Sequence, residues 1–200
     1  MSFLSRVMER MNRLPPAQTR DIVVDRDLKV PMRDGVTLLA DRFAPRKPSG
    51  PLPTILVRSP YGRGGLWGVQ YGELFSERGF QVVIQSCRGT FGSGGEFLPF
   101  HAEREDGLAT LAWLRDQPWF DGRLAMMGGS YVGYVQWAMG ADVGPGHKIR
   151  VQVSSGAHPR FARNPGSGER FDTTMRLVAA EQTVFHDPER PSAMVLPVLA

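Results

Sequence analysis

Ser130 lies within the stretch Leu124-Ala125-Met126-Met127-Gly128-Gly129-Ser130-Tyr131-Val132-Gly133, where a short apolar run meets two glycines, then the serine and a segment of helical character. A strand that turns sharply into a helix through Gly-x-Ser lifts the serine hydroxyl above the edge of a sheet. There the hydroxyl can act as a nucleophile while the next backbone N–H stabilises an oxyanion. The same residues also suit a tight strand-to-helix turn with Ser130 as a helix N-cap. The pentapeptide does not decide between them, because Val132 stands two residues after the serine and the glycine comes only at 133. What favours the nucleophile is the expected strand before it and helix after it. Tyr61, in Ser59-Pro60-Tyr61-Gly62, is a second candidate. It follows a short apolar strand, and loops at the C-terminal ends of parallel strands carry the chemistry of open α/β sheets. Its phenol could donate to an oxyanion, but the pattern by itself favours a half-buried ring packed on its own loop.

A serine nucleophile needs a base. The histidines are His101, His147, His158 and His186, and Asp172 followed by His186 fits the order serine, acid, histidine. Order alone assigns none of them, since a lone loop histidine is usually structural or solvated. No ligand-like histidine pairing exists and Cys87 stands alone, so neither a metal nor an internal disulfide is expected. Arg88 to Gly95 is a Gly/Ser loop without the Gly-Lys-Ser/Thr of a phosphate cradle, and no cofactor is expected.

The chain has 200 residues, of which 42% are hydrophobic, enough for one large domain with a core. Its apolar runs are only a few residues long, which excludes a membrane span of about 20 residues. No apolar signal-like segment opens the sequence, so a cytoplasmic location is expected. The net charge is +4, but the arginines are scattered among acids rather than gathered in a stripe. That distribution argues against a nucleic-acid partner.

The elements that must position Ser130 and Tyr61 follow from periodicity. Ser2 to Leu14 places Phe3, Leu4, Val7, Met8, Met11 and Leu14 at helical spacing, ended by Pro15-Pro16. This helix either packs on the domain or docks on a membrane surface or partner. Asp21 to Val30 and Val36 to Phe43 read as a hairpin closed by Met32-Arg33-Asp34-Gly35. Thr54 to Arg58 and Phe80 to Gln85 read as buried strands, with a Gly-rich loop to Gly68 and a helix over Tyr71 to Arg78 between them. A helix over Glu103 to Asp116, the strand Leu124 to Met127 and a helix over Tyr131 to Met139 complete an α/β pattern. From Gly140 the alternation stops, with Ile149 to Ser154 and Met194 to Leu199 reading as isolated strands.

The ordered motifs of residues 29–139 resemble the N-terminal part of the X-Pro dipeptidyl-peptidase and cocaine-esterase family of α/β-hydrolases. They are Val30-Pro31-Met32-Arg33-Asp34-Gly35-Val36, Val57-Arg58-Ser59-Pro60-Tyr61, Arg88 through Phe97, Trp119-Phe120-Asp121-Gly122 and Gly128 through Gly133. In that family the glycine regularly stands three after the serine. One departure is Ser86, where the family usually has aspartate, which puts the local loop hydrogen bonding in question. The resemblance implies that Ser130 is the nucleophile, with the Tyr131 backbone N–H and the Tyr61 hydroxyl forming the oxyanion hole. It implies small ester or peptide substrates: X-Pro peptides, amino-acid esters, β-lactam acyl groups or aryl esters.

Residues after 142 resemble the other end of the family. Gly146 to Ser155, Pro159 to Gly166 and Phe185 to Pro197 are similar to the last strands of its C-terminal β-sandwich. The expected organisation is an N-terminal helical extension (1–20), a partial α/β-hydrolase domain (21–141) and a sandwich-like segment (142–200). The fold class expected is therefore α/β: a truncated α/β-hydrolase sheet with flanking helices, plus a fragment of a jelly-roll-like β-sandwich. On this mapping the acid and histidine of the triad are missing, His186 belongs to the sandwich, and Ile149–Val153 would dock beside Leu124–Met127. An edge left uncovered there would be a route to a homo-oligomer. The functional expectation is a serine hydrolase impaired by the loss of its base. The alternatives are a non-catalytic remnant or binding module, and an arginine-rich polyanion binder.

Overall fold

The computed structural model describes residues 3–140, and beyond them Ser167, Val178, Pro188 and Glu189 as isolated positions. The fold belongs to the first of the two units into which the chain divides, Met1–His147; the second is Lys148–Ala200. The sandwich-like segment, the strand expected over Ile149–Val153, and His147, His158, His186 and Asp172 lie outside the described residues.

β1 (Ile22–Pro31) and β2 (Thr37–Pro45) form the expected antiparallel hairpin. Gly35 takes φ 84 in its turn, where Met32 N–H donates to Val36 O at 2.7 Å and Asp34 Oδ1 accepts from Val36 N–H at 3.2 Å. β3 (Thr54–Ser59) and β4 (Gln81–Ser86) are buried along their whole length, as their near-continuous apolar runs require when both faces are covered. β5 (Leu124–Met126) is short and largely exposed. The strand order is β1-β2-β4-β3-β5. β2 and β4 pair antiparallel, and β3 pairs parallel with both β4 and β5. Among the described residues β5 is an edge strand.

Strand alternation sends Leu56 and Val83 into one core with Val30, Leu38 and Leu114, while Ile55, Val57, Val82 and Ile84 join Phe43 and Tyr71 in the other. α4 (Glu103–Arg115) supplies Ala109 and Leu114 to the first core. α5 (Tyr131–Gly140) contributes Met139 to the first and Val132 to the second.

Two helices differ from the sequence reading. Helical structure begins at Gly65, not Tyr71: α2 (Gly65–Trp67) runs through a π turn (Gly68–Glu73) into α3 (Leu74–Ser76). Gly68, expected in a loop, and Gly72, expected in the helix, let this segment lie on Phe43. A Cβ at Gly72 would sit 2.6 Å from the Phe43 ring, and one at Gly68 would be 3.4 Å from it. α1 (Phe3–Met11) docks on the domain through its polar residues rather than its apolar face. Ser5 is buried and its hydroxyl donates to Glu77 Oε1 at 3.0 Å, while Glu9 pairs with Arg20 and Arg78. Phe3 and Met11 stay 82% and 76% exposed. The buried Glu77 carboxylate decides this, because a charge removed from water needs donors. No helix among the described residues is long and apolar enough to cross a membrane.

Candidate functional site

The turn from β5 into α5 is built by glycine. Gly128 takes φ 142, and a Cβ there would meet Val132 Cγ1 at 2.1 Å. A Cβ at Gly133 would be 3.3 Å from the Gly128 carbonyl oxygen, so the glycine three after the serine lets α5 close on the turn. Ser130 itself has φ 57, a left-handed backbone that costs a non-glycine residue on the order of 1–3 kcal/mol. Its carbonyl accepts from Gly133 N–H at 2.9 Å and Tyr134 N–H at 3.0 Å, opening the helix. Yet an N-cap residue has an extended backbone and gives its side chain to the first-turn N–H groups. Ser130 does neither: its hydroxyl is exposed and has no hydrogen-bond partner among the described residues.

Tyr131 opens α5, and its backbone N–H has no partner among the described residues. Its side chain is anchored firmly. The phenol donates to Glu103 Oε1 at 2.7 Å and accepts from Phe100 N–H at 3.1 Å. The ring packs against Phe97 and Phe100, with centroids 5.9 and 5.1 Å away. Burial, together with the adjacent Glu103 carboxylate, raises the phenol's pKa well above its ordinary value. Glu103 is held in turn by the fully buried Arg58 of β3, whose Nη1 donates to the Glu103 carbonyl at 2.7 Å. Arg58 Nη2 and Glu103 Oε2 form an ion pair at 3.1 Å, off hydrogen-bond alignment, and Arg58 Nε donates to Gln85 Oε1 at 2.8 Å.

Tyr61 lies two residues beyond β3, and Ser130 four beyond β5. Because β3 and β5 are parallel neighbours, both leave the same end of the sheet. The Tyr61 N–H donates to Ser59 Oγ at 3.0 Å. Its ring stacks on Trp67 at 5.3 Å, and Trp67 stacks on Tyr71 at 5.3 Å. The ring is packed, yet the residue is 44% exposed and its phenol has no hydrogen-bond partner among the described residues.

Sequence reading missed Arg58, Arg63 and Glu103. An arginine closing an otherwise apolar strand was the one available signal, since a charge in a buried strand demands a partner. The question raised by Ser86 is answered locally: its hydroxyl accepts from Arg63 Nη1 at 2.8 Å, and its carbonyl accepts from Ser93 Oγ at 2.9 Å. The loop after it is a structural clasp, with Arg88 paired to Asp106 at 2.6 Å and Asp34 at 2.8 Å. His101 is exposed on the loop leading into α4. Among the described residues no histidine or carboxylate is hydrogen-bonded to Ser130, and no group of metal-ligating side chains occurs. A cleft of about 310 Å³ beside Arg42, Leu52 and Trp119 lies at the opposite, N-terminal end of the parallel strands.

A family model described as X-Pro dipeptidyl-peptidase (S15 family) matches residues 34–184. Cocaine esterase of Rhodococcus sp. (strain MB1 Bresler) is 43% identical over 115 residues, which make up 56% of this chain and 20% of that protein. Among solved structures, an aminopeptidase from the marine sediment archaeon Thaumarchaeota archaeon matches with 26% identity and a TM-score of 0.50, covering 62% of this chain and 24% of that one. An α-amino acid ester hydrolase shares the fold at a TM-score of 0.53 with 23% identity, over 68% of this chain and 26% of that one. The chain thus spans a minor part of the length of each of these relatives.

Proposed function

Since the chain belongs to the X-Pro dipeptidyl-peptidase (S15) family of hydrolases, we propose that it carries the nucleophile and oxyanion half of a serine acyl hydrolase. The observation that carries this reading is the left-handed Ser130 at the mouth of α5, its hydroxyl unengaged and the Tyr131 N–H unpaired beside it. In the reaction Ser130 Oγ attacks the carbonyl carbon of a small ester or peptide and gives its proton to solvent water, from which the departing alcohol or amine takes one back. The carbonyl oxygen becomes an oxyanion that accepts hydrogen bonds from the Tyr131 N–H and the Tyr61 hydroxyl. Collapse expels the alcohol or amine and leaves an acyl-enzyme, which water hydrolyses. Substrates named for the relatives, cocaine and α-amino acid esters, belong to the ester class.

The proton is the weak point. No base is hydrogen-bonded to Ser130 among the described residues, and the sequence mapping leaves the acid and histidine out. Loss of the base from such a unit costs on the order of 10⁶-fold in turnover. An oxyanion hole with binding alone retains roughly 10³–10⁴-fold over water. The chain is therefore an impaired hydrolase.

Intact mass after treatment with a fluorophosphonate, beside an ester-hydrolysis assay, tests this. Slow addition of one phosphonyl group, absent in Ser130→Ala, with ester turnover near background, is the expected result. A folded protein that takes no label would instead be a non-catalytic remnant or binding module. Rapid turnover lost in Ser130→Ala would show that a base is present after all.

A further inference from the structure

Arg63 gathers four separate segments onto one side chain. Its Nε donates to Asp41 Oδ1 of β2 at 3.0 Å. Its Nη1 donates to Ser86 Oγ at the end of β4 at 2.8 Å and to the Phe91 carbonyl at 2.7 Å. Its Nη2 pairs with the Asp27 carboxylate of β1. The guanidinium is a rigid, planar fork of five N–H donors, which suits several acceptors in fixed directions. The Arg63 side chain is only 10% exposed and its Asp41 and Ser86 contacts are shielded from water, whereas the Asp27 carboxylate lies at the surface.

The fold is distorted to supply one of the partners. β1 shifts register between Asp25 and Leu28, and Asp27 takes φ 54 within that bulge. The Asp27 N–H donates to Asp41 Oδ1 at 3.0 Å, while Arg26 holds the other oxygen of Asp41 at 2.9 Å. Bulges that re-aim a side chain are concentrated beside active sites. Next to Arg63, a Cβ on Gly62 would be 3.0 Å from the Phe91 ring, so the loop bearing Tyr61 and the loop bearing Phe91 are interlocked.

Tyr61 is two residues away and has little else to fix it: its N–H to Ser59 and the stack on Trp67. An oxyanion donor works only when its hydrogen falls where the charge develops, and a misplacement of about 1 Å costs on the order of 100-fold. We propose that Arg63 is a positioning residue, whose four-way clamp on the sheet and the Phe91 loop sets the place of the Tyr61 hydroxyl. This rests on the reading of Tyr61 as an oxyanion donor at Ser130.

A double-mutant cycle tests it, with the second-order rate of Ser130 phosphonylation as the readout. Tyr61→Phe and Arg63→Gln should each slow labelling by about 10–100-fold, within reach of the loss from removing one oxyanion donor. The double variant should be no slower than Tyr61→Phe, because Arg63 acts through that hydroxyl. Arg63→Lys keeps the charge without the fork and should recover part of the rate. Should Arg63→Gln fail to fold, Ser86→Ala removes a single contact and should slow labelling in the same direction, by less. Equal slowing by the Arg63 or Ser86 substitution in the wild-type and Tyr61→Phe backgrounds would make the clamp merely structural and overturn the proposal. Amide hydrogen exchange separates this from failure of the serine reading. Exchange over residues 59–64 should accelerate in Arg63→Gln, or in Ser86→Ala in its place, while β3 and β4 stay protected. Unchanged exchange refutes the clamp, whereas an unlabelled wild type refutes the serine chemistry and leaves the exchange result to stand by itself.

Discussion

Cys87 is fully buried, and burial pushes its thiol up to about 12 against the opposing pull of Arg58, with Glu103 adding to the rise. The lone cysteine is thus no rival to Ser130 as a nucleophile, because the thiolate is the reactive form. The shift also fixes a pH dependence. The thiol's folded value lies above its ordinary 9.0, so its contribution to stability is fully present below pH 9 and is lost as pH rises from 9 toward 12. Over that window wild type should lose about 1.4 kcal/mol per pH unit relative to Cys87→Ala in urea unfolding. Parallel stability curves for the two proteins would refute this. At this scale the geometry of the candidate site was partly legible. Gly128, Gly133 and the apolar run before them marked the Ser130 turn, because a strand-to-helix reversal leaves a local imprint. Arg58 with Glu103, and Arg63 with Asp27 and Asp41, left none: they lie far apart in sequence and meet only when the sheet forms.

At the level of elements, the close approach of the π-turn helix to β2 depends on Gly72. Alanine there would gain about 1 kcal/mol of helix propensity but would push its methyl to 2.6 Å from the Phe43 ring. Overpacking of a filled core costs about 1–3 kcal/mol, and a ring wedged between sheet and helix has little room to yield. Gly72→Ala should therefore be destabilising by roughly 1 kcal/mol net, and the penalty should shrink in a Phe43→Leu background. Equal penalties in both backgrounds would show that the contact is not the cause. Gly107 is a second close approach, where a methyl would meet Met139 Cγ at 2.4 Å and the clamped Arg58 Nη1 at 3.1 Å. The strands were legible because each carries its own signature: alternation with Asp34-Gly35 for the hairpin, continuous apolar runs for β3 and β4. The start of the helix at Gly65 was not, because glycines signal loops locally, and only Phe43, distant in sequence, turns them into a packing surface. The docking face of α1 escaped for a similar reason, since Glu77 selects it from outside the helix.

For the molecule as a whole, a net charge of +4 and a pI near 9.6 invite the idea of a polyanion partner. What matters for such a partner is the arrangement of charge, since unpaired cations on one face raise the local potential whereas paired ones cancel within a Debye length of about 8–10 Å. Among the described residues most arginines of the sheet and its connections are paired: Arg20 with Glu9 and Glu77, Arg42 with Asp25, Arg46 with Asp21, Arg88 with Asp34 and Asp106, Arg123 with Asp121, while the exposed Arg10, Arg13 and Arg115 pair with no carboxylate among those residues. Several of these pairs tie elements together, Arg20 holding α1 to the end of α3 and Arg42 bridging β1 and β2. Using them to grip a phosphate or sulfate chain would mean breaking the contacts that hold the fold. Heparin chromatography should accordingly show weak retention, with a dependence on log salt equivalent to about one or two phosphate contacts, not the roughly six to ten of a dedicated binder. A steep salt slope would point to a basic face, at the exposed Arg10 and Arg13 by the end of α1 or outside residues 3–140, and would move the protein toward the polyanion class. A shallow slope, together with a phosphonylated Ser130, would favour the proposed acyl-transfer reading over a polyanion binder.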